Sequence, residues 1–235
     1  LRVATYNVHR CRGLDRLVRP ERIAAVLRAL EADVIGLQEV VGPGPRDVGQ
    51  AEALGALLGF GWVMAPTRHL RRHLFGNVIL SRFPMVHHVQ YDLTWKTCEP
   101  RGCHRADIVL PGGRTVHLYN VHLGTALRER RYQAARLASI LADRHLRGPR
   151  IVVGDFNEWT RGLATTVMSR MFERVDHVTQ VRRRRTYPAF LPLLHLDHIY
   201  YRGHLEVLSV ERPRTRLALV ASDHLPLVAE FAVRG

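Results

Sequence analysis

Lysine is nearly absent from this sequence: Lys96 is the sole lysine among 35 Lys+Arg residues, so arginine carries the formal net charge of +14. A charge of that size favours an anionic partner such as nucleic acid, a phosphorylated metabolite or an acidic lipid surface. Arginine-rich coding can raise the charge without any ligand, so the sign ranks partner classes and names none. Cysteine is scarce as well. Cys11, Cys98 and Cys103 are too few and odd in number for a disulfide framework, which points to a reducing compartment, with a single Cys98–Cys103 bridge left open. No apolar run approaches the roughly 18 residues that would span a bilayer as a helix, and no charged-then-apolar leader precedes Val3, so the expected location is cytoplasmic. His-Glu-x-x-His, Cys-x-x-Cys, Gly-x-Ser-x-Gly and Gly-x-x-x-x-Gly-Lys are all missing. Zinc-peptidase, serine-hydrolase and P-loop nucleotide chemistry fall with them. Cys98, Cys103 and His104 lack a fourth partner for structural zinc.

The 46% hydrophobic and 24% charged composition is that of a globular chain, and the length suits one large core, so 1–235 reads as a single domain. An internal repeat organises it. Tyr6-Asn7-Val8-His9 recurs half a chain later as Tyr119-Asn120-Val121-His122. Each copy reads as a strand end followed by a helix and a buried strand finishing in a carboxylate, Val34 to Glu39 in the first half and Ile151 to Asp155 in the second. Val78–Ser81 and His198–Tyr201 then supply further strands, and Asp107–Leu110 and Leu227–Phe231 close the two halves. Pro20 opens a helix whose Ile23, Val26, Leu27 and Leu30 fall on one stripe. Thr125 is placed to cap a longer helix, with Leu137, Ile140 and Leu141 inward and a stop at Gly148-Pro149; a shorter helix fits Ala51 to Leu58. The strands are continuous apolar runs rather than alternating ones, which predicts α/β halves packed sheet against sheet with helices outside. Gly42–Gly49 and Arg182–Arg185 read as surface loops.

Polar residues gather at the ends of the apolar strands, where α/β proteins place their sites: Asn7, His9, Glu39, Asn120, His122, Asp155, Asn157, Asp197, His198, Asp223 and His224. Singly each has a plain structural explanation, since Asx residues end strands and histidines near cores are commonly hydrogen-bonded packing. Jointly, carboxylates, carboxamides and histidines are what hard-metal phosphoester chemistry requires. Mg²⁺ takes oxygen ligands and neutralises phosphate charge, for which Glu39 is the best single ligand. A water needs a base, for which Asp155 with Asn157 suits, and the phosphoryl group needs a cationic donor, for which an Asp-supported histidine suits.

Seven segments in order carry a family resemblance: Thr5-Tyr6-Asn7-Val8-His9, Leu37-Gln38-Glu39-Val40, Gly76-Asn77-Val78-Ile79-Leu80-Ser81, Asn120-Val121-His122-Leu123, Gly154-Asp155-Phe156-Asn157, Leu196-Asp197-His198-Ile199 and Ser222-Asp223-His224-Leu225-Pro226. From about Val3 to Val233 the chain resembles the deoxyribonuclease-like endonuclease/exonuclease/phosphatase superfamily. The resemblance implies a four-layered sandwich, two packed β-sheets flanked by helices with internal pseudo-two-fold symmetry. It implies metal-site roles for Asn7, Glu39 and Asp223, with Glu39 the direct ligand. Asp155 would orient or deprotonate the attacking water, and Asn157 would hold phosphate or metal. His224, paired with Asp197, would contact the scissile phosphate, and His122 would assist the leaving group. His9, Asn77, Asn120 and Arg101 are further substrate-binding candidates. His9 replaces an aspartate of the abasic-site endonucleases, and Asn120 and His122 stand where those enzymes use a tyrosine. The closer likeness is to small bacterial members.

The expected function is a Mg²⁺-dependent phosphodiesterase, with Mn²⁺ as the alternative ion and nucleic acid as the favoured partner, since a phosphate backbone attracts arginine. A phosphomonoesterase, a lipid-headgroup phosphodiesterase and a non-catalytic binding module on the same fold are the alternatives. For lipid, Pro188-Ala189-Phe190-Leu191-Pro192-Leu193-Leu194 offers an apolar tip for peripheral contact with phospholipid, although a loop packed ahead of Asp197 is the favoured reading of that segment. A monomer is the simplest oligomeric state.

Overall fold

A computed structural model describes residues 1–159, 162–175 and 185–234. In the first half, β1 (Arg2–Asn7), α1 (Pro20–Ala29), β2 (Val34–Val41) and α2 (Gln50–Leu58) lead into β3 (Gly61–Leu70), β4 (His73–Ser81), β5 (Met85–Asp92) and β6 (Gly102–Val109). In the second, β7 (Thr115–His122), α3 (Leu127–Leu141), β8 (Arg150–Asp155) and α4 (Leu163–Met171) lead into β9 (Glu173–Arg174), β10 (Asp197–Arg202), β11 (Leu205–Glu211), α5 (Arg216–Ala221) and β12 (Leu227–Val233).

The strands form two six-stranded mixed sheets, ordered β11-β12-β1-β2-β4-β3 and β5-β6-β7-β8-β10-β9. The second order is the first displaced by half the strand set, which is the predicted internal repeat in three dimensions. Each sheet contains one parallel pair, β1 with β2 and β7 with β8, joined through α1 and α3 respectively; every other pairing is antiparallel.

Three cores follow from the apolar runs. Between the sheets lie Val3, Val34, Ile79, Ile108, Leu118 and Phe231, among others. Outside the first sheet, the stripe Ile23, Val26, Leu27 and Leu30 of α1 packs with Leu54 of α2 and Ala218 of α5. Outside the second, Leu137 and Leu141 of α3 meet Met168 of α4 and Tyr119. Each large aliphatic so buried contributes about 2 kcal/mol. At Gly36 the two sheets pack so closely that a Cβ would stand 2.5 Å from Val153 Cγ2.

The predicted start of α1 at Pro20 and the α2 segment hold. α3 corrects two expectations. Its cap position is Ala126 rather than Thr125, with no side-chain cap, and it ends at Leu141 rather than running to Gly148-Pro149. Arg150 from the following strand donates to the Leu141 carbonyl (2.6 Å) and to the Asp143 and Leu146 carbonyls, so the chain beyond the helix is held as irregular backbone. All three cysteines are free, and burial pushes the Cys11 and Cys103 thiols up, so no Cys98–Cys103 bridge forms. Of the predicted arginine loop, Arg182–Arg184 lie outside the described residues and Arg185 is exposed. Among the described residues no helix is long and apolar enough to cross a membrane.

Candidate active site

Parallel neighbours deliver their carboxyl ends to the same edge. β1 and β2 bring Asn7 and Glu39 there, and β7 and β8 bring His122 and Asp155. β10 runs antiparallel to β8, so its first residue, Asp197, pairs in register with Asp155. The segment entering β12 adds Asp223 and His224.

Local backbone devices aim these side chains. A bulge in β2 between Leu37 and Val40 holds Glu39 at φ 58°, turning its carboxylate out of the strand's alternation and toward the mouth. Gly154 at φ 145° lets β8 press against β7: a Cβ there would fall 1.9 Å from the Val121 carbonyl oxygen. Asn157 at φ 50° turns the chain after β8, donating its backbone N–H to Asp155 Oδ1 (2.9 Å) and its amide to the Leu123 carbonyl (2.8 Å). His9, Arg10 and Cys11 form a left-handed turn after β1, bringing His9 Nδ1 to 3.4 Å from Asp223 Oδ2.

Asp155 stands at the centre. Its Oδ2 accepts from Asn7 Nδ2 at 3.1 Å, and His122 Nε2 and His224 Nε2 each lie 3.7 Å from it. Asn7 Nδ2 also reaches Glu39 Oε1 at 3.3 Å. His224 Nδ1 bonds Asp197 Oδ2 at 2.9 Å, while Asp197 Oδ1 is buried without a hydrogen-bond partner. Burial pulls the His224 imidazolium down, but Asp197 and Asp155 outweigh it and raise its pKa well above the ordinary histidine value. His122 goes the other way: burial, then the positive charges of Arg101 and His224, hold it neutral. Burial raises Asp155, against the lowering influence of His224. Two histidines therefore face one carboxylate oxygen in opposite protonation states, the separation that acid and base roles require.

Among the described residues, Asp155, Asp197 and His224 are the group whose ligand atoms, within 4.8 Å of one another, can hold a divalent ion. Glu39 and Asp223 stand outside that group. Both Asp223 oxygens have neighbours, His9 at 3.4 Å and Ser222 Oγ at 3.3 Å. Glu39, by contrast, lines a small surface depression together with Asn77, Arg101 and His122. The carboxylates of Asp155 and Asp197, the latter with one oxygen left without a partner, are the kind of oxygen donors that fit a hard cation.

Arg101 Nη1 lies 3.0 and 3.1 Å from the two ring nitrogens of His122. Asn77 donates its amide to the Gly102 and Asn120 carbonyls. Asn120 is drawn into the seam between the sheets, donating to the Leu37 and Val78 carbonyls (2.9 Å each) and accepting from Gln38 Nε2 (2.7 Å). Sequence reasoning missed Tyr187, whose ring centroid lies 4.9 Å from that of His224, and Ser222, whose hydroxyl donates to the Asn7 carbonyl at 2.8 Å. Ser222 was visible as the neighbour of Asp223-His224; Tyr187 sits in irregular chain that carries no periodic signal.

A sequence profile of the Endonuclease/Exonuclease/phosphatase family matches residues 4–224. The chain belongs to the endonuclease/exonuclease/phosphatase family. This family member is 31% identical over 250 residues to the uncharacterised protein YbhP of Escherichia coli K12, a match that covers 98% of the chain and 95% of YbhP. Its fold matches that of a solved endonuclease/exonuclease/phosphatase from Bacteroides vulgatus with a TM-score of 0.83 at 18% identity, over 100% of this chain and 99% of that one. It also matches the mannosyl-6-phosphatase Bt3783 of Bacteroides thetaiotaomicron with a TM-score of 0.78 at 19% identity, over 99% of each chain. At those identities the solved structures establish a shared fold. Family membership and the Asp155–Asp197–His224 cluster support a phosphoesterase-type hydrolase.

Proposed function

We propose that the chain is a divalent-metal-dependent phosphodiesterase. The observation that carries this reading is His224, made cationic between Asp197 at 2.9 Å and Asp155 at 3.7 Å on the same edge as Glu39. A fixed imidazolium beside a carboxylate with raised proton affinity is suited to a reaction that deprotonates water while charge builds on phosphate. Glu39, with Asn7 at 3.3 Å and with Asp223 as a further carboxylate, would hold Mg²⁺ or Mn²⁺, which when bound neutralises phosphoryl charge. Asp155 orients the water and takes its proton. His224 Nε2 donates to a phosphoryl oxygen, and Asp197 fixes the ring through Nδ1. Asn157 supports the Asp155 carboxylate from its backbone, and neutral His122, with Arg101 against its ring, offers an N–H to the leaving oxygen. The net charge of +14 supports an anionic polymer or an anionic surface as the carrier of the phosphodiester.

The test is hydrolysis of bis(p-nitrophenyl) phosphate with Mg²⁺ or Mn²⁺, alongside p-nitrophenyl phosphate, with EDTA and Asp155→Asn as controls. Metal-dependent cleavage of the diester, lost in the variant, is expected. A preference for the monoester would move the reading to a phosphomonoesterase, and no turnover of either with either metal would favour the binding module.

A further inference from the structure

The segment 188–194 does not pack down as the sequence analysis expected. Phe190, Leu191 and Leu193 are 59%, 55% and 54% exposed, although the base that carries them is firmly held. Ala189 is fully buried in the α1 core and donates its N–H to the Asp223 carbonyl (2.7 Å). The neck is closed by Leu193 and Leu194 N–H donating to the Tyr187 carbonyl, 2.8 Å each. Three large apolar side chains are thus displayed on an ordered turn.

They do not stand alone. Leu14, Leu17 and Val18, in the loop between β1 and α1, are also exposed, as are Leu217 and Val220 on the outer side of α5. Hydrogen bonds tie the three segments into one face: Leu14 N–H donates to the Val220 carbonyl (3.0 Å), and Arg214 Nη2 donates to the Phe190 carbonyl (3.1 Å). The same segments carry exposed Arg16, Arg19, Arg185 and Arg216, and the stretches 185–194 and 212–222 contain no acid. Asp15, the acid within 12–19, is already engaged by Arg22 at 2.7 and 2.9 Å. The face borders the active site, because the Tyr187 ring packs 4.9 Å from that of His224.

We infer that this face docks on an anionic phospholipid bilayer, and, resting on the phosphodiesterase reading above, that the substrate is a lipid whose headgroup is held by a phosphodiester. Exposed aliphatic and aromatic side chains ringed by arginine match a bilayer surface on both counts: apolar tips enter the acyl boundary while the cations stay among the headgroup phosphates. A nucleic-acid backbone would satisfy the arginines but would leave the leucines with nothing apolar to meet. Exposed arginines on all three segments also disfavour a second copy of the same face, which would set arginine against arginine.

The experiment is sedimentation with unilamellar vesicles of phosphatidylcholine alone or mixed with phosphatidylglycerol, at low and high salt, together with the bis(p-nitrophenyl) phosphate assay. The chain is expected to pellet with the mixed vesicles, and less so as salt rises. Phe190→Ser, Leu191→Ser and Leu193→Ser combined should weaken partitioning by on the order of tenfold or more. Arg216→Gln should weaken it by about fivefold on the anionic vesicles alone. Both variants should keep wild-type Tm and wild-type cleavage of the soluble diester. Headgroup release from vesicles should fall with binding, whereas release from detergent-dispersed lipid should not. Equal partitioning of the triple variant, no pelleting at all, or loss of self-association in its place would overturn the docking inference. Binding to vesicles without cleavage of any diester would uphold the docking face and remove the hydrolytic reading instead.

Discussion

One oxygen, Asp155 Oδ2, has Asn7 and two histidines around it, and the difference between those histidines is produced by their second neighbours: Asp197 behind His224, Arg101 beside His122. Removing the cationic one should remove charge stabilisation. His224→Ala is expected to lower turnover on bis(p-nitrophenyl) phosphate by about a hundredfold or more in protein that remains folded, and near-normal turnover would discard its role. Glu39→Ala should shift the Mg²⁺ titration to higher concentration, whereas an unmoved titration would take Glu39 out of the metal site. Asn7, Glu39, Asp155, Asp197 and His224 were legible in the sequence because each ends or adjoins an apolar run, and the parallel strands then carry those ends together. Asn120 was legible as polar but not by position. It lies on the same face of β7 as His122 but two residues earlier, about 7 Å deeper, which puts it in the seam rather than the mouth.

At the scale of elements, that seam is polar where the surrounding core is apolar. Asn120 bridges β7 to β2 and β4, and Gln38 bonds Thr5 Oγ1 (3.1 Å) as well as Asn120. Asn120→Ala would take the side-chain donors from the Leu37 and Val78 carbonyls and one of the three acceptors of the Gln38 amide, which keeps Thr5 Oγ1 and the Gly36 carbonyl, costing about 3 kcal/mol by urea denaturation. Loss of less than about 1 kcal/mol would mean that water replaces it. The strand runs and α1 were readable from composition and period. The end of α3 was not, because Arg150 sets it from the next strand, a tertiary interaction that no local pattern encodes. The 188–194 tip was misread for the same kind of reason: apolar content predicts burial, and only the anchoring of Ala189 and the tied neck show that burial stops at the base.

Across the whole molecule, acid should be destabilising through histidine rather than through carboxylates alone. Burial, then His88, lowers His104 to about 3, against about 6.5 in the unfolded chain. Unfolding therefore takes up a proton between those values, so the stability contributed by neutral His104 is complete above 6.5 and drains as pH falls toward 3. His122 and His198, also lowered by burial, act in the same sense. The urea midpoint should drop between neutrality and about pH 5, and His104→Gln should flatten that drop; an equal drop in the variant would assign it elsewhere.

The strand orders carry one more consequence. The outer pair of the first sheet, β11 and β12, is made last, whereas the second sheet takes its outer pair, β5 and β6, from the first half. A ribosome that has finished the first half has therefore released a chain whose two outermost strands belong to a sheet not yet synthesised. Until the second half emerges, β6 has no β7 to pair with. For the same reason, a break in the Pro111-Gly112-Gly113 turn between β6 and β7 yields two pieces that each lack a partner's edge. Neither should be soluble alone, and co-expression should restore one active particle.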